Sequence, residues 1–167
     1  VLTYADGEDQ TYWLDLPNDK VKGKDYSLVM GKGWVYNSVI NGYGKKGQEN
    51  DIVFSLSEFE NPYGDLDTYM KETEKKSEDY IEKISDAFPN MSYTISDGTV
   101  TSRNIPCKIV ETKIVDAKGE MFHYGYIVNF MYNKRIIKIE YACQNYSYEE
   151  IDVLSLINEA FVFENNE

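Results

Sequence analysis

The stretch that decides the fold reads PCKIVETKIVDAKGEMFHYGYIVNFMYNKRIIKIEYAC, residues 106–143. Apolar and polar residues alternate along most of it, and two turn-forming segments, 116–119 and 133–134, divide it into three runs. Alternation with a period of two is typical of half-buried β-strands, and short polar turns join antiparallel neighbours. The sequence therefore predicts an antiparallel meander of three strands in the second half of the chain.

The two turns also predict how these strands pair. The first turn would place Val115 opposite Glu120, and the second would place Tyr132 opposite Arg135. One face of the meander is then mostly apolar and carries Cys107, Ile109, Phe122, Tyr124, Tyr126, Val128, Phe130, Ile137, Ile139, Tyr141 and Cys143. The other face is mixed and carries Lys108, Val110, Thr112, His123, Gly125, Ile127, Asn129, Lys138, Glu140 and Ala142. Because a slip of one residue would turn a strand over, the agreement of three strands on one apolar face supports this register.

Helical periodicity precedes and follows the meander. Residues 64–88 predict a long amphipathic helix that Asp65 can cap, since apolar positions recur every three or four residues. Its expected buried stripe is Leu66, Tyr69, Met70, Thr73, Tyr80, Ile81, Ile84 and Phe88. Ser147-Tyr148-Glu149-Glu150 matches a capping box, which predicts a second helix from Ser147. Its expected stripe is Ile151, Leu154, Ile157 and Phe161.

The first third of the chain predicts strands separated by turns. Residues 41–50 hold Gly42, Gly44 and Gly47, and we expect them to form a mobile loop. The predicted strands are residues 10–16, 26–30, 34–40 and 52–59. Together with the meander, this order predicts an α+β fold, an antiparallel β-sheet with helices packed on its faces, in a single domain covering residues 1–167.

Composition narrows the classes of function. The chain has 167 residues, 42% of them apolar, which suits one domain with a substantial core. Its 29 acidic and 17 basic residues give a net charge of -12, and no Lys or Arg follows Lys138. Such a field repels phosphate backbones, so we expect no nucleic-acid partner, whereas a basic protein or a metal ion is compatible with it. No stretch is apolar enough to span a membrane, and a sequence starting at Val1 suggests an exported protein whose leader was removed, although a trimmed sequence would look the same.

Groups that could carry chemistry are few. The sequence contains no glycine-rich phosphate loop, nucleophile elbow or paired-cysteine metal motif. His123 is the only histidine, and the predicted register places it on the face opposite Cys107 and Cys143. On that register Cys107 lies two strands away from Cys143 and four residues along, too far for a disulfide. We therefore expect two free thiols, and we predict no catalytic residue, no metal site and no cofactor.

Aromatic residues supply the candidate binding site. Among fifteen tyrosines and two tryptophans, Trp34, Tyr36 and Tyr43 fall near the predicted glycine loop. Amphipathic rings of this kind suit recognition surfaces, although packing in the core or on the sheet explains most tyrosines equally well. Trp34, Tyr36 and Tyr43 are therefore the candidate ligand-binding residues, and we expect them to be exposed.

Five segments carry a resemblance to a known family. They are Tyr12-Trp13-Leu14-Asp15-Leu16-Pro17, the strand that ends with Leu56 and Phe59, the helix opened by Asp65-Leu66-Asp67-Thr68-Tyr69, the meander up to Cys143, and Leu156-Ile157-Asn158-Glu159-Ala160-Phe161. In order and apolar spacing they resemble the PsbP-like family, which includes an extrinsic photosystem protein, a Ran-binding transport factor and exported bacterial lipoproteins. The resemblance spans nearly the whole chain and implies an α/β/α sandwich. It also implies a protein that binds or scaffolds, and it carries no functional residue to a named position.

Two hypotheses follow for function. The first is a non-catalytic, exported and lipid-anchored binding or accessory protein at the cell envelope, whose partner is an unknown protein or small ligand. Contact with the membrane would come only through an N-terminal lipid anchor. The alternative is a cytoplasmic acidic inhibitor of a basic enzyme, of the kind found among immunity proteins. An enzyme is the third choice, because no reactive cluster is visible.

Overall fold

The computed structural model describes residues 20–164 of the chain. The elements are β1 (Val21–Gly23), β2 (Tyr26–Leu28), β3 (Trp34–Asn37), β4 (Gly42–Lys45), β5 (Gln48–Glu60), α1 (Leu66–Ile84), β6 (Ser92–Val100), β7 (Ile105–Val115), β8 (Met121–Tyr132), β9 (Arg135–Cys143), α2 (Val153–Ala160) and β10 (Phe161–Phe163). Within this range the main sheet has seven strands in the order β3-β4-β5-β9-β8-β7-β6, and a small sheet has the order β1-β2-β10. All pairings are antiparallel, which confirms the predicted α+β fold class. The predicted strand at residues 10–16 lies outside the described residues.

The second predicted turn is confirmed and the first is wrong by two residues. Tyr132 pairs with Arg135 as expected. Cys107, however, lies opposite Phe130 instead of Val128, because the ladder is irregular next to Val115. The cause lies in the turn at Asp116, whose carboxylate accepts hydrogen bonds from the backbone N–H groups of residues 118 and 120 at 2.8 and 3.0 Å. Over residues 107–114 the shift is two residues, an even number, so these side chains keep their predicted faces.

The apolar face of the meander forms the main core. It is covered by α2 and by the small sheet, whose strand β10 contributes the buried ring of Phe161. That ring stacks on Tyr26 at 4.8 Å and meets Phe130 of the main sheet edge-on at 5.6 Å. The small sheet is also pinned by polar contacts, because the Tyr26 hydroxyl donates to the Glu58 carboxylate at 2.8 Å. The two sheets therefore share one core.

The long helix α1 lies on the opposite, mixed face. Asp65 caps it as predicted, accepting a hydrogen bond from the backbone N–H of Thr68 at 2.7 Å. The helix ends at Ile84, four residues earlier than expected. The expected stripe is only partly buried: Met70 is the one buried residue of α1, and Tyr80 is 59% exposed. Helical spacing of apolar residues thus predicted the helix but overestimated its burial.

The second helix begins later than the capping box predicted. It starts at Val153, and its N-cap is Asp152, whose carboxylate accepts from the backbone N–H of Ser155 at 3.1 Å. The predicted start at Ser147 is wrong because other contacts hold the segment before Asp152. The Tyr141 hydroxyl donates to the backbone carbonyl of Glu149 at 2.8 Å, which ties this segment to strand β9.

The predicted mobile loop at residues 41–50 is wrong, because it contains strand β4 between β3 and β5. Gly42 fits there for a steric reason: a Cβ atom at this position would lie 2.0 Å from the carbonyl oxygen of Phe54. Gly47 forms the turn that follows, with a φ angle of +87° that favours glycine. The glycines therefore serve close strand packing and a tight turn. Strand β6, at the edge of the main sheet, was not predicted.

Candidate functional site

A groove with a volume of about 350 Å³ lies between the β3–β4 hairpin and the segment that contains α2. Its lining comes from both sides and consists of Trp34, Lys45, Tyr141, Glu149, Ile151, Asp152, Ser155, Leu156 and Glu159. The volume lies in the lower part of the range, roughly 300–1,000 Å³, that is typical of ligand pockets. A groove of this size admits one or two side chains or a small molecule.

The three predicted binding residues lie on neighbouring strands but have different environments. Trp34 is half-buried and lines the groove, and its ring meets Phe54 edge-on at 5.2 Å. Tyr36 is also half-buried, with its ring 5.8 Å from that of Tyr43 across the β3–β4 ladder. Of the three, Trp34 alone contributes to the groove.

Tyr43 is a core residue, and the expectation that it is exposed is wrong. Its side chain is 3% exposed, and its hydroxyl bridges two strands of the small sheet. The hydroxyl accepts from the backbone N–H of Val21 at 3.1 Å and donates to the carbonyl of Leu28 at 2.6 Å. Tyr43 therefore joins the main sheet to the small sheet, and a surface role is not available to it.

The charges around the groove are unequal. Three carboxylates, those of Glu149, Asp152 and Glu159, face one ammonium group, that of Lys45. Lys45 forms an ion pair with Glu149, and the Asp152 carboxylate caps α2. Glu159 is exposed and forms no ion pair within residues 20–164. The groove lining therefore carries an excess of negative charge.

Tyr141 forms part of the groove as a neutral phenol. Burial, together with a hydrogen bond to the Cys143 side chain, raises the pKa of Tyr141 well above its ordinary value. The hydroxyl therefore keeps its proton at neutral pH and continues to donate to the backbone of Glu149. This contact positions residues 149–152 as one wall of the groove.

The mixed face of the sheet does not assemble its polar groups into one site. His123 and Asn129 both lie on β8, six residues apart, which corresponds to roughly 20 Å along a strand. Asn129 is 3% exposed, and Glu140 lies on the neighbouring strand opposite Ile127. Glu140 lines a second groove, of about 330 Å³, together with Val53, Ser55, Ala142 and others of strands β5 and β9, and His123 is not part of it.

Both cysteines are buried and free, which confirms the prediction of two free thiols. Cys107 pairs with Phe130 and Cys143 pairs with Tyr124, so they lie on different strands and six positions apart along β8. Burial raises the pKa of the Cys107 thiol to about 11. This thiol is therefore protonated at neutral pH, and a protonated buried thiol is a poor nucleophile.

A third depression lies beside the start of α1. Lys108 reaches from strand β7 to Asp97 on the edge strand β6 and to Asp67 of α1, the latter at 3.4 Å. The hydrogen bond that Lys108 donates to Asp97 raises the pKa of Lys108; desolvation opposes this shift, and the hydrogen bond to Asp67 adds to it. These groups satisfy one another, and they fasten the first turn of α1 to the sheet. Among residues 20–164, no cluster of three or more His, Cys, Asp or Glu side chains could hold a metal ion.

Sequence comparison gives no family. No protein-family model matches the chain, and no curated protein matches it significantly. The resemblance to PsbP-like proteins therefore stays a prediction. In the described part of the chain, neither helix is both long and apolar enough to cross a membrane.

Sequence reasoning found one wall of the groove and missed the other. The aromatic character of Trp34 indicates a binding role, whereas Glu149 is interpreted from the sequence only as part of a capping box, and Asp152 and Glu159 are given no role. The sequence does contain a pattern that indicates this wall. Apolar Ile151 and Leu156 lie between these acidic residues, in a region that has no Lys or Arg. The misplaced helix start concealed it, since a helix from Ser147 would give residues 149–152 a different arrangement.

Proposed function

We propose that this chain is a non-catalytic binding protein that holds a partner in the groove between the β3–β4 hairpin and α2. The observation that carries the proposal is the combination of a fixed indole ring and surplus negative charge in one groove. Trp34 is held by Phe54 and still lines the groove, and Glu159 lines it from α2. Aromatic anchors with few polar groups are typical of recognition sites.

Binding is favoured over catalysis because the reactive groups are separated. Cys107 is buried and protonated, and His123 lies on a different face from both cysteines. Nucleophilic catalysis needs a nucleophile within hydrogen-bond reach of a base. The groove instead offers carboxylates that already have structural roles at Glu149 and Asp152.

We further propose that the protein acts at the cell envelope as an exported, lipid-anchored accessory protein. The support is the resemblance of element order to PsbP-like lipoproteins. The alternative is an acidic inhibitor of a basic enzyme in the cytoplasm. The net charge of -12 supports this alternative, because a basic enzyme is attracted to an acidic protein. Both functions use the same acidic groove. They differ in the cell compartment where the protein acts and in the partner that it binds.

Site-specific photocrosslinking tests the proposed groove. A benzophenone amino acid replaces Ser155, which lines the groove and is exposed, or Lys75, which is exposed on α1. In cells that express the whole gene product, we expect a crosslinked partner from position 155 and none from position 75. Adding Trp34→Ala should remove the adduct, because truncating an aromatic anchor costs about 2 kcal/mol or more of binding free energy.

The fraction that contains the adduct separates the two functions. An adduct in the cell-envelope fraction supports the exported accessory protein, whereas a cytoplasmic adduct with a basic enzyme supports the inhibitor. Equal adducts from positions 155 and 75, or an adduct that survives Trp34→Ala, would show that the groove is not the binding site.

A further inference from the structure

The acidic side of the groove contains a carboxylate at an electrostatically unfavourable position, the carboxyl end of helix α2. Glu159 lies in the last turn of α2, and this turn has no basic residue. The carboxyl end of a helix carries partial negative charge, so a carboxylate there is unfavourable and a cation is favourable. Proteins commonly accept such a conflict at functional sites. A ligand that brings a positive charge to Glu159 would therefore offset this unfavourable interaction.

The opposite wall suits the same cation. Trp34 offers an indole ring whose orientation is fixed by the edge-on contact with Phe54. Indole is the best of the aromatic rings for binding a cation over its face, and it also packs on the apolar stem of Lys or Arg. Ile151 and Leu156 extend this apolar surface. Lys45 is already paired with Glu149, so it leaves Glu159 available.

The position of the groove favours a peptide. Trp34 belongs to β3, which within residues 20–164 is one of the two edge strands of the main sheet. An edge strand presents backbone N–H and C=O groups that an extended segment can pair with, while alternate side chains of that segment enter neighbouring pockets. A basic side chain on such a segment would reach both Trp34 and Glu159.

We infer that the partner is a protein that presents an extended basic segment, with one Arg or Lys side chain seated in the groove between Trp34 and Glu159. This inference rests on the proposed function and specifies the ligand class of the same groove. The stem of the basic side chain lies against the indole ring, and its charge complements the carboxyl end of α2. The chain's net charge of -12 adds long-range attraction for such a partner.

Peptide selection tests the ligand class directly. The full chain, residues 1–167, is immobilised and presented with a display library of randomised twelve-residue peptides. We expect the selected peptides to be enriched in Arg or Lys next to apolar residues. For the best peptide, replacing its Arg with citrulline removes the charge while keeping the shape. This change should weaken binding about three- to fivefold, as expected for a partly solvated ion pair.

Variants of the chain locate the effect. Glu159→Gln should reduce the preference for arginine over citrulline to about one. Glu78→Gln is the matched control, because it changes an exposed helical glutamate of α1, far from the groove lining, and it should leave the preference unchanged. Trp34→Ala should weaken both peptides by at least about tenfold. A thermal melt of each variant checks that the fold is retained.

Three results would overturn the inference, and they differ in what they mean for the proposed function. Peptides that need Trp34 but bind equally with arginine or citrulline would overturn the ligand class and leave the groove as the binding site. Peptides that bind regardless of Trp34 would overturn the groove as well. If no peptide is selected, a peptide partner is wrong, and photocrosslinking from position 155 still decides whether the groove binds anything.

Discussion

The two helices lie on opposite faces of one sheet and are held in opposite ways. The 19-residue helix α1 has one buried residue, Met70, whereas the 8-residue helix α2 has three, Val153, Ile157 and Ala160. Helix α1 is attached near its start, by the contact of Lys108 with Asp67, and beyond its end, where Phe88 stacks on Phe122 at 5.9 Å. A long amphipathic pattern therefore does not imply deep packing, and the shorter helix carries more of the core.

The largest expected effect is a difference in stability between two side-chain truncations, one in each helix. Ile157→Ala removes a fully buried side chain from α2 and should destabilise the fold by about 2–5 kcal/mol. Ile81→Ala removes a half-buried side chain from α1 and should cost less than about 1 kcal/mol. Urea unfolding followed by fluorescence measures both. Equal costs would mean that α1 packs on the sheet as tightly as α2.

Hydrogen exchange sharpens the same comparison without mutation. Amides in the second half of α1, where the described side chains are mostly exposed, should open locally, whereas α2 is tied to the core. We expect the amides of residues 76–84 to exchange at least about tenfold faster than those of residues 157–160, after correction for intrinsic rates. Similar protection in both segments would contradict attachment of α1 at its two ends.

The caps provide the next test. Asp152→Ala should destabilise the fold by about 0.5–2 kcal/mol, because the carboxylate accepts the backbone N–H of Ser155. Ser147→Ala should have little effect, since Ser147 lies outside the helix. A chemical melt compares the two variants with the unchanged chain. A larger loss from Ser147→Ala would restore the capping box as the start of α2.

Acid should act on α1 through its cap. The hydrogen bonds from Thr68 lower the pKa of Asp65 below its ordinary value of 3.8. Because the folded-state pKa is the lower one, the contribution of Asp65 is complete above about pH 4 and is lost as the pH falls through the folded-state pKa. Exchange of the first amides of α1 should therefore accelerate in that acidic window. Asp65→Asn should remove this pH dependence, and an unchanged profile would assign it to other carboxylates.

The sequence predicted the structure best where strands with alternating apolar residues are joined by a short turn. The pairing of Tyr132 with Arg135 could be predicted because two residues between strands leave little freedom. The other turn failed because Asp116 can bond its own downstream backbone, which changes the loop length. The predicted faces of residues 107–114 were nevertheless correct, because the register there shifted by an even number of residues.

The remaining errors have a common cause in contacts between distant parts of the chain. Gly42 indicates a loop unless the neighbouring strand is known to pass close by. The capping box at Ser147 was displaced by a contact from Tyr141, which no local pattern reveals. For the candidate site, the residue type of Trp34 indicates a binding role, but the position of Trp34 and Glu159 in the lining of one groove depends on the tertiary fold.

The strand order β1-β2-β10 has a consequence for synthesis. Leu28 pairs with Val21 on one side and with Phe161 on the other, so β2 has only β1 beside it until the last described element has been made. Closing so long a loop is costly and comes late, since non-local pairing is slow. Until then Tyr26 lacks the ring of Phe161, and the core stays open at that end. The small sheet should therefore form last, after the main sheet has supplied the surface on which it packs.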